Sequence, residues 1–139
     1  MISYDYPVLK DDYENAGMVS SQIKGTLKQI GISSEILRRI AVASYEGEIN
    51  MIIHSDGGKI YLRIEPEQKK VELEFADVGP GIPDVKLAMT PGWSTASEKA
   101  RQLGFGAGMG LVNIKRVSDS FDLKTGKEGT TITVGFLLS

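Results

Sequence analysis

KIYLRIEPEQKKVELEFA, residues 59–76, decides the fold. Ile60, Leu62 and Ile64 alternate with polar or amphipathic neighbours, and Val71, Leu73 and Phe75 do the same. Side chains of a strand point to opposite faces in turn, so each apolar trio lines one face. The stretch therefore reads as two strands, 59–65 and 70–76, joined through Pro66-Glu67-Gln68-Lys69. One dry face and one wet face per strand is the pattern of an antiparallel sheet covered on one side.

Upstream, Asp56-Gly57-Gly58 is a turn signal. Before it a helix capped by Ser33 or Ser34 runs to about Ser55, with Ile36, Ile40 and Ala43 in its apolar stripe. An earlier helix starts at Asp11 or Asp12, carries Ala16, Val19, Ile23, Leu27 and Ile30 at spacings of three or four, and stops at Gly31. Ile2–Val8 reads as a first strand, and Pro7 marks it as an edge strand or its end. Downstream, residues 77–81 form a turn and 83–89 a short helix. Residues 90–108 have no clear period, and a loop of that length in a compact domain is usually functional. A third helix begins around Gly108 to Gly110 and carries Leu111, Ile114 and Val117. Two last strands, 121–125 and 130–138, flank a glycine-bounded turn. Helices grouped early and strands joined by short turns predict an α+β two-layer sandwich, with about three helices on one face of a mainly antiparallel mixed sheet.

The 139 residues suit one domain with a single core. A hydrophobic fraction of 41% and a charged fraction of 24% are those of an ordinary globular protein. A net charge of −2 and a pI near 5.4 argue against a nucleic-acid footprint, which needs a basic face. The absence of cysteine excludes disulfides and thiolate metal sites. No apolar run has the length of a membrane span, and the first residues lack the layout of a signal peptide. A cytoplasmic location is expected.

Three segments can carry chemistry. Glu46, Asn50 and His54 recur every fourth residue and form a gently winding polar row on the second helix. The amide oxygen of Asn50 suits Mg²⁺, a hard cation, and Glu46 one turn away can accept a proton. A solvated helix face gives the same row, and His54 by itself reads as a structural hydrogen-bonding residue. Asp77, with Gly79 and Gly81, follows an apolar strand. Its carboxylate can accept from an exocyclic amine such as N6 of adenine while the backbone passes close beneath the ring. The same residues also make an ordinary tight turn. Gly104, Gly106, Gly108 and Gly110 alternate with Phe105, Ala107 and Met109 and lead into Leu111 at the start of a helix. Exposed N–H groups at a helix entrance favour phosphate. No Gly-Lys-Ser/Thr follows, so this is not a Walker loop. Gly129-Thr130-Thr131 enters the last strand, where the Thr130 hydroxyl can meet a base or its water.

Taken in order, Glu-x-x-x-Asn on a helix, Asp-x-Gly-x-Gly after a strand, Gly-x-Gly-x-Gly-x-Gly-Leu opening a helix, and Gly-Thr before the last strand resemble the GHKL, or Bergerat-fold, ATPases. Within that superfamily GWSTASEKARQLGFGAGMGLVNIKRVSDSF, residues 92–121, is similar to the small anti-sigma-factor and switch-protein serine kinases. The resemblance implies ATP and Mg²⁺, with Asn50 as the metal ligand and Glu46 as the general base. It implies that Asp77 reads adenine, supported by Gly79 and Gly81. Residues 104–111 (Gly104, Gly106, Ala107, Gly108, Met109, Gly110 and Leu111 among them) would hold phosphate, Thr130 would lie near the base, and His54 matches a position often histidine in that branch. A mobile ATP lid is expected at about 83–108, within a single free-standing domain, 1–139.

The activity so implied is a protein serine/threonine kinase acting on a STAS-domain antagonist protein in a bacterial regulatory pathway. An alternative is an ATP-controlled binding module that sequesters a sigma factor or activates a phosphatase. A detached histidine-kinase-like ATPase domain is a third. Some members of the branch pair through their first strand, so a homodimer through residues 2–6 also fits, although Pro7 suits a blunted edge.

Overall fold

The computed structural model describes residues 1–79, 81–82, 85, 89 and 110–138. Within them β1 (Ile2–Val8) and a 3-10 turn (Tyr13–Asn15) precede α1 (Met18–Gln29) and α2 (Ser34–His54). Strands β2 (Gly58–Glu65) and β3 (Lys70–Asp77) follow, then α3 (Gly110–Val117), β4 (Ser120–Gly126) and β5 (Gly129–Leu137). The sheet order is β1-β2-β3-β5-β4, and each neighbouring pair is antiparallel. Among the described strands no parallel pair occurs, so the mixed component expected from sequence is not found there. The short helix expected at 83–89 and the long loop that follows lie almost wholly outside the described residues.

Strand register follows from the alternation in residues 59–76. Ile60 faces Phe75, Leu62 faces Leu73 and Ile64 faces Val71 across β2 and β3. Across β3 and β5, Phe75 faces Ile132, Leu73 faces Val134 and Val71 faces Phe136. These nine side chains, none more than 3% exposed, form the floor on which the helices rest. A slip of one residue in any of the three strands would turn that strand's three to water, so the pattern fixes the register. On the other face Arg63 bonds Glu72 at 2.9 Å and Glu74 at 3.0 Å, a cross-strand cluster suited to a wet surface.

Helix α1 lays Val19, Ile23 and Leu27 on the floor, and α2 lays Leu37, Ile40, Ala43 and Met51. Full burial of a side chain such as Ile23 or Ile40 contributes about 1.5–3 kcal/mol. Helix α3 adds Leu111 and Ile114 beside α2. The start of α1 departs from the sequence expectation. Residues 13–15 are only a 3-10 turn, and Gly17, left-handed at φ 93°, breaks the chain before the helix proper begins at Met18. Ser33 stands at the N-cap of α2 but its side chain makes no capping bond. Ser55 ends that helix: its hydroxyl donates to the Met51 carbonyl at 2.6 Å and accepts from Gly57 N at 3.0 Å.

That ending places the C-terminus of α2 beside the end of β3. Asp56 N donates to the Val78 carbonyl at 2.7 Å, and Val78 N donates to the Gly57 carbonyl at 2.9 Å. The start of β2, the end of β3 and the β4–β5 turn thus meet the end of α2 at one end of the sheet. Among the described residues no helix is long and apolar enough to cross a membrane.

Candidate functional site

Asp77 is the last residue of β3, half-buried, and its Oδ1 accepts the N–H of Thr130 at 2.8 Å. Burial pushes its carboxyl above the usual aspartate range; the Thr130 N–H opposes that shift, and nearby Asp56 adds to it. Asp56 itself pairs with Lys10 at 3.1 Å, both largely exposed. Among the described residues no hydrogen bond to Asp77 Oδ2 is present, so this oxygen keeps its accepting capacity.

The backbone around Asp77 is closely packed where glycines stand. A Cβ on Gly129 would strike the Asp77 carbonyl oxygen. Gly81 is left-handed at φ 79°, and a Cβ there would strike the Gly126 carbonyl and come within 2.8 Å of Thr125 Oγ1. Gly79 N donates to the Glu128 carbonyl at 3.1 Å. The turn after β3 is therefore sewn to the β4–β5 turn, and only residues without side chains allow that approach. Gly81 and Gly129 are thus required by close approach around Asp77, whereas a Cβ on Gly79 would meet nothing nearer than 3.5 Å and it is the backbone there, at φ 152°, that favours glycine.

Thr130 is buried, and its hydroxyl lies 2.9 Å from that of Thr125. Thr125 Oγ1 also accepts from Ile82 N at 2.7 Å. Sequence reasoning left the Thr130 hydroxyl to a ligand; the fold gives it a protein partner, while a hydroxyl retains capacity for a further bond. Nothing in the sequence marks Thr125. In β4 it reads as an ordinary strand residue, and its partners lie at residues 82 and 130.

On α2, Glu46 and Asn50 are partly buried and His54, the last helical residue, is exposed. The protein around the His54 ring disfavours its charged form and lowers its pKa. Glu46 Oε2 accepts from Asn113 Nδ2 at 2.9 Å. A carboxylate offers no proton, so the amide nitrogen must be the atom facing it. Asn113 also escaped the sequence reading, because it lies off the Leu111, Ile114, Val117 stripe and looks like a solvated position. Gly110 and Leu111 open α3, with Leu111 buried; Gly104, Gly106, Ala107, Gly108 and Met109 lie outside the described residues.

The fold offers an acceptor carboxylate at the end of β3, and a carboxylate and a carboxamide on α2, whose C-terminal end meets that strand end through Asp56 and Val78. Such a set can bind the edge of a planar base with one part and steer a proton with the other. Among the described residues no group of three or more His, Cys, Asp or Glu side chains forms a metal site. The oxygen donor offered by Asn50 suits a Mg²⁺ that keeps most of its ligands as water and phosphate.

The chain resembles known proteins in sequence and in fold. The family model of the histidine kinase-like ATPase domain matches residues 9–136. The chain is 36% identical over 112 residues to the serine/threonine-protein kinase RsbT of Bacillus subtilis, covering 78% of this chain and 71% of that one. It is 28% identical over 124 residues to an anti-sigma F factor of Bacillus licheniformis, covering 86% and 82%. Among solved structures it resembles the RsbU and RsbW domains of a Mycobacterium tuberculosis protein, with a TM-score of 0.68 at 17% identity. That match takes in 99% of this chain but only 33% of the other, and it bears on the fold alone.

Proposed function

The chain belongs to the histidine kinase-like ATPase domain family, and on that premise we propose that it is an ATP-binding protein serine/threonine kinase of the switch-kinase type. Its substrate is a hydroxyl on a small STAS-domain antagonist protein in a bacterial regulatory pathway. The 36% identity to a serine/threonine-protein kinase supports the activity. The observation that carries the nucleotide site is Asp77: a half-buried carboxylate at a strand end, with one oxygen fixed by Thr130 N and Gly129 packed against its main-chain carbonyl. Its second oxygen accepts from N6 of adenine, which guanine cannot supply.

Asn50 would hold Mg²⁺, which when bound neutralises charge on the phosphates. Residues 104–110 supply backbone N–H groups to the phosphates, on the strength of their glycine spacing. Glu46 orients the acceptor hydroxyl and takes its proton as the new O–P bond forms and the bond to the ADP oxygen breaks. Positioning and charge neutralisation dominate this chemistry, so one carboxylate and a phosphate cradle are enough. The whole of 1–139 acts as a single domain in the cytoplasm.

The 28% identity to an anti-sigma F factor favours a second reading. In it the chain binds a sigma factor, or a phosphatase, under the control of ATP, and the two roles can coexist. A bare ATPase domain is the third reading.

Titration calorimetry with Mg-ATP tests the site. Asp77→Asn and Asn50→Ala should each weaken binding by well over about tenfold, or roughly 1.4 kcal/mol. Wild-type affinity in both variants would remove the site from these residues.

A further inference from the structure

We propose that Asn113 is the positioning residue for Glu46, so that the first turn of α3 sets the geometry of the general base. The proposal rests on the reading of Glu46 as that base.

Three observations carry it. Asn113 Nδ2 donates to Glu46 Oε2 at 2.9 Å, a well-formed bond between two partly buried side chains 67 residues apart in sequence. The bond occupies one carboxylate oxygen and leaves Oε1 to accept a proton. A free glutamate has three rotatable bonds, and fixing one oxygen removes most of the misdirected orientations of the other.

Next, the backbones are already close. A Cβ added at Gly110 would lie 3.9 Å from the Glu46 carbonyl oxygen, so the first turn of α3 stands directly beside the Glu46 turn of α2.

Finally, α3 is pinned at its other end to the same face of α2. Arg39, two helical turns before Glu46, donates from Nε to the Val117 carbonyl at 2.8 Å and from Nη2 to Asp119 at 3.0 Å. Asp119 in turn accepts Leu137 N at 2.7 Å, which ties the end of α3 to β5. Asn113 and Val117 are one turn apart on α3, and their partners Glu46 and Arg39 are two turns apart on α2. The helices thus run in opposite directions with two fixed contacts. A helix held at one end cannot slide along its neighbour, so Asn113 is delivered to Glu46 at a set height. Asn113 touches neither nucleotide nor acceptor in this scheme; it acts through Glu46.

Steady-state phosphate transfer from γ-labelled ATP at varied ATP concentration measures the effect, with water and a purified STAS-domain protein as acceptors. Asn113→Leu keeps the branched shape and removes the donor; Asn113→Gln keeps an amide donor; Asn113→Asp replaces the donor by a second carboxylate; Glu46→Gln is the reference. We expect Asn113→Leu to lower kcat by about 10- to 100-fold with KM for ATP changed less than about twofold. Asn113→Gln should recover part of that loss, and Asn113→Asp should be no better than Asn113→Leu. Wild-type kcat in Asn113→Leu alongside an inactive Glu46→Gln overturns the positioning role and leaves the base in place. Equal loss of kcat and ATP affinity in all three Asn113 variants, without recovery by Gln, also overturns it and makes the residue structural. Full activity of Glu46→Gln, or no turnover by the wild type on either acceptor, removes the base reading itself. If Asn113→Leu fails to fold, the Gln and Asp pair still orders the donors and decides.

Discussion

Glu46 and Glu48 are two residues apart on α2 and face different neighbours. Glu46 is partly buried and accepts from Asn113; Glu48 is 2% exposed and accepts from the backbone N–H groups of Gly17, Val19 and Ser20 at 3.0–3.3 Å. Glu48 is therefore the cap of α1, supplied from another helix, and it fills the donors that a helix start leaves open. The alternation of Glu46 and Glu48 in sequence does not distinguish these roles, since each role is decided by a partner about 30 or more residues away. Burial raises the Glu48 carboxyl above its ordinary value; the three N–H bonds oppose this, and Asp12 adds to it. The folded state then holds the proton more tightly than the unfolded chain. Glu48 favours folding most below its unfolded pKa, and that contribution is lost as pH rises through the folded value. Glu48→Gln should remove this dependence. It should also cost about 1–3 kcal/mol, because an amide group turns a donor toward backbone donors. Urea unfolding at several pH values checks both; an unchanged pH profile in the variant would assign the dependence elsewhere.

Elements were legible where their cause is local. The alternation in 59–76 yields β2 and β3 to within a residue, because burial of one face is a property of the strand itself. Helix α2 was equally readable, but the start of α1 was not. Its start depends on Gly17 turning left-handed and on Glu48 reaching across from α2. Asp77 could be found in sequence because a strand end followed by glycines is a local signal; Asn113 and Thr125 could not. Two helical glycines show how packing overrides propensity. A methyl group on Gly25 in α1 would meet open space, with nothing within 4 Å, whereas a Cβ on Gly47 in α2 would strike the Phe75 ring. Alanine improves helix propensity by about 0.8–1 kcal/mol at either site. Overpacking a core typically costs about 1–3 kcal/mol. Gly25→Ala should therefore stabilise the protein by nearly 1 kcal/mol, and Gly47→Ala should destabilise it. Shifts of the urea midpoint in the same direction for both would refute the packing argument. The absence of a side chain at Gly47 also brings α2 close to β3, two residues before Asp77, so the same contact helps hold the Glu46 face near the strand end.

For the whole molecule, the sheet order β1-β2-β3-β5-β4 puts β3 at the centre, with β1 and β4 as edges. Asp77 therefore ends the strand held on both sides, by β2 and β5, while Glu46 and Asn50 belong to the helix layer above it. A ligand touching both layers binds only the folded protein, and its binding energy adds to stability. At a nucleotide concentration of 100 Kd that addition is about 2.7 kcal/mol. Mg-ATP should thus raise the urea midpoint of the wild type, and Asp77→Asn should lose most of the rise at the same nucleotide concentration. Glu46→Gln separates binding from chemistry: it should keep the full rise while phosphate transfer falls by at least about a hundredfold. If Glu46→Gln loses the rise, Glu46 belongs to the binding surface and the base must be sought elsewhere. If the wild type shows the rise yet transfers phosphate to no STAS-domain protein, the nucleotide serves as a switch. The 28% identity to an anti-sigma factor then becomes the better guide to the partner.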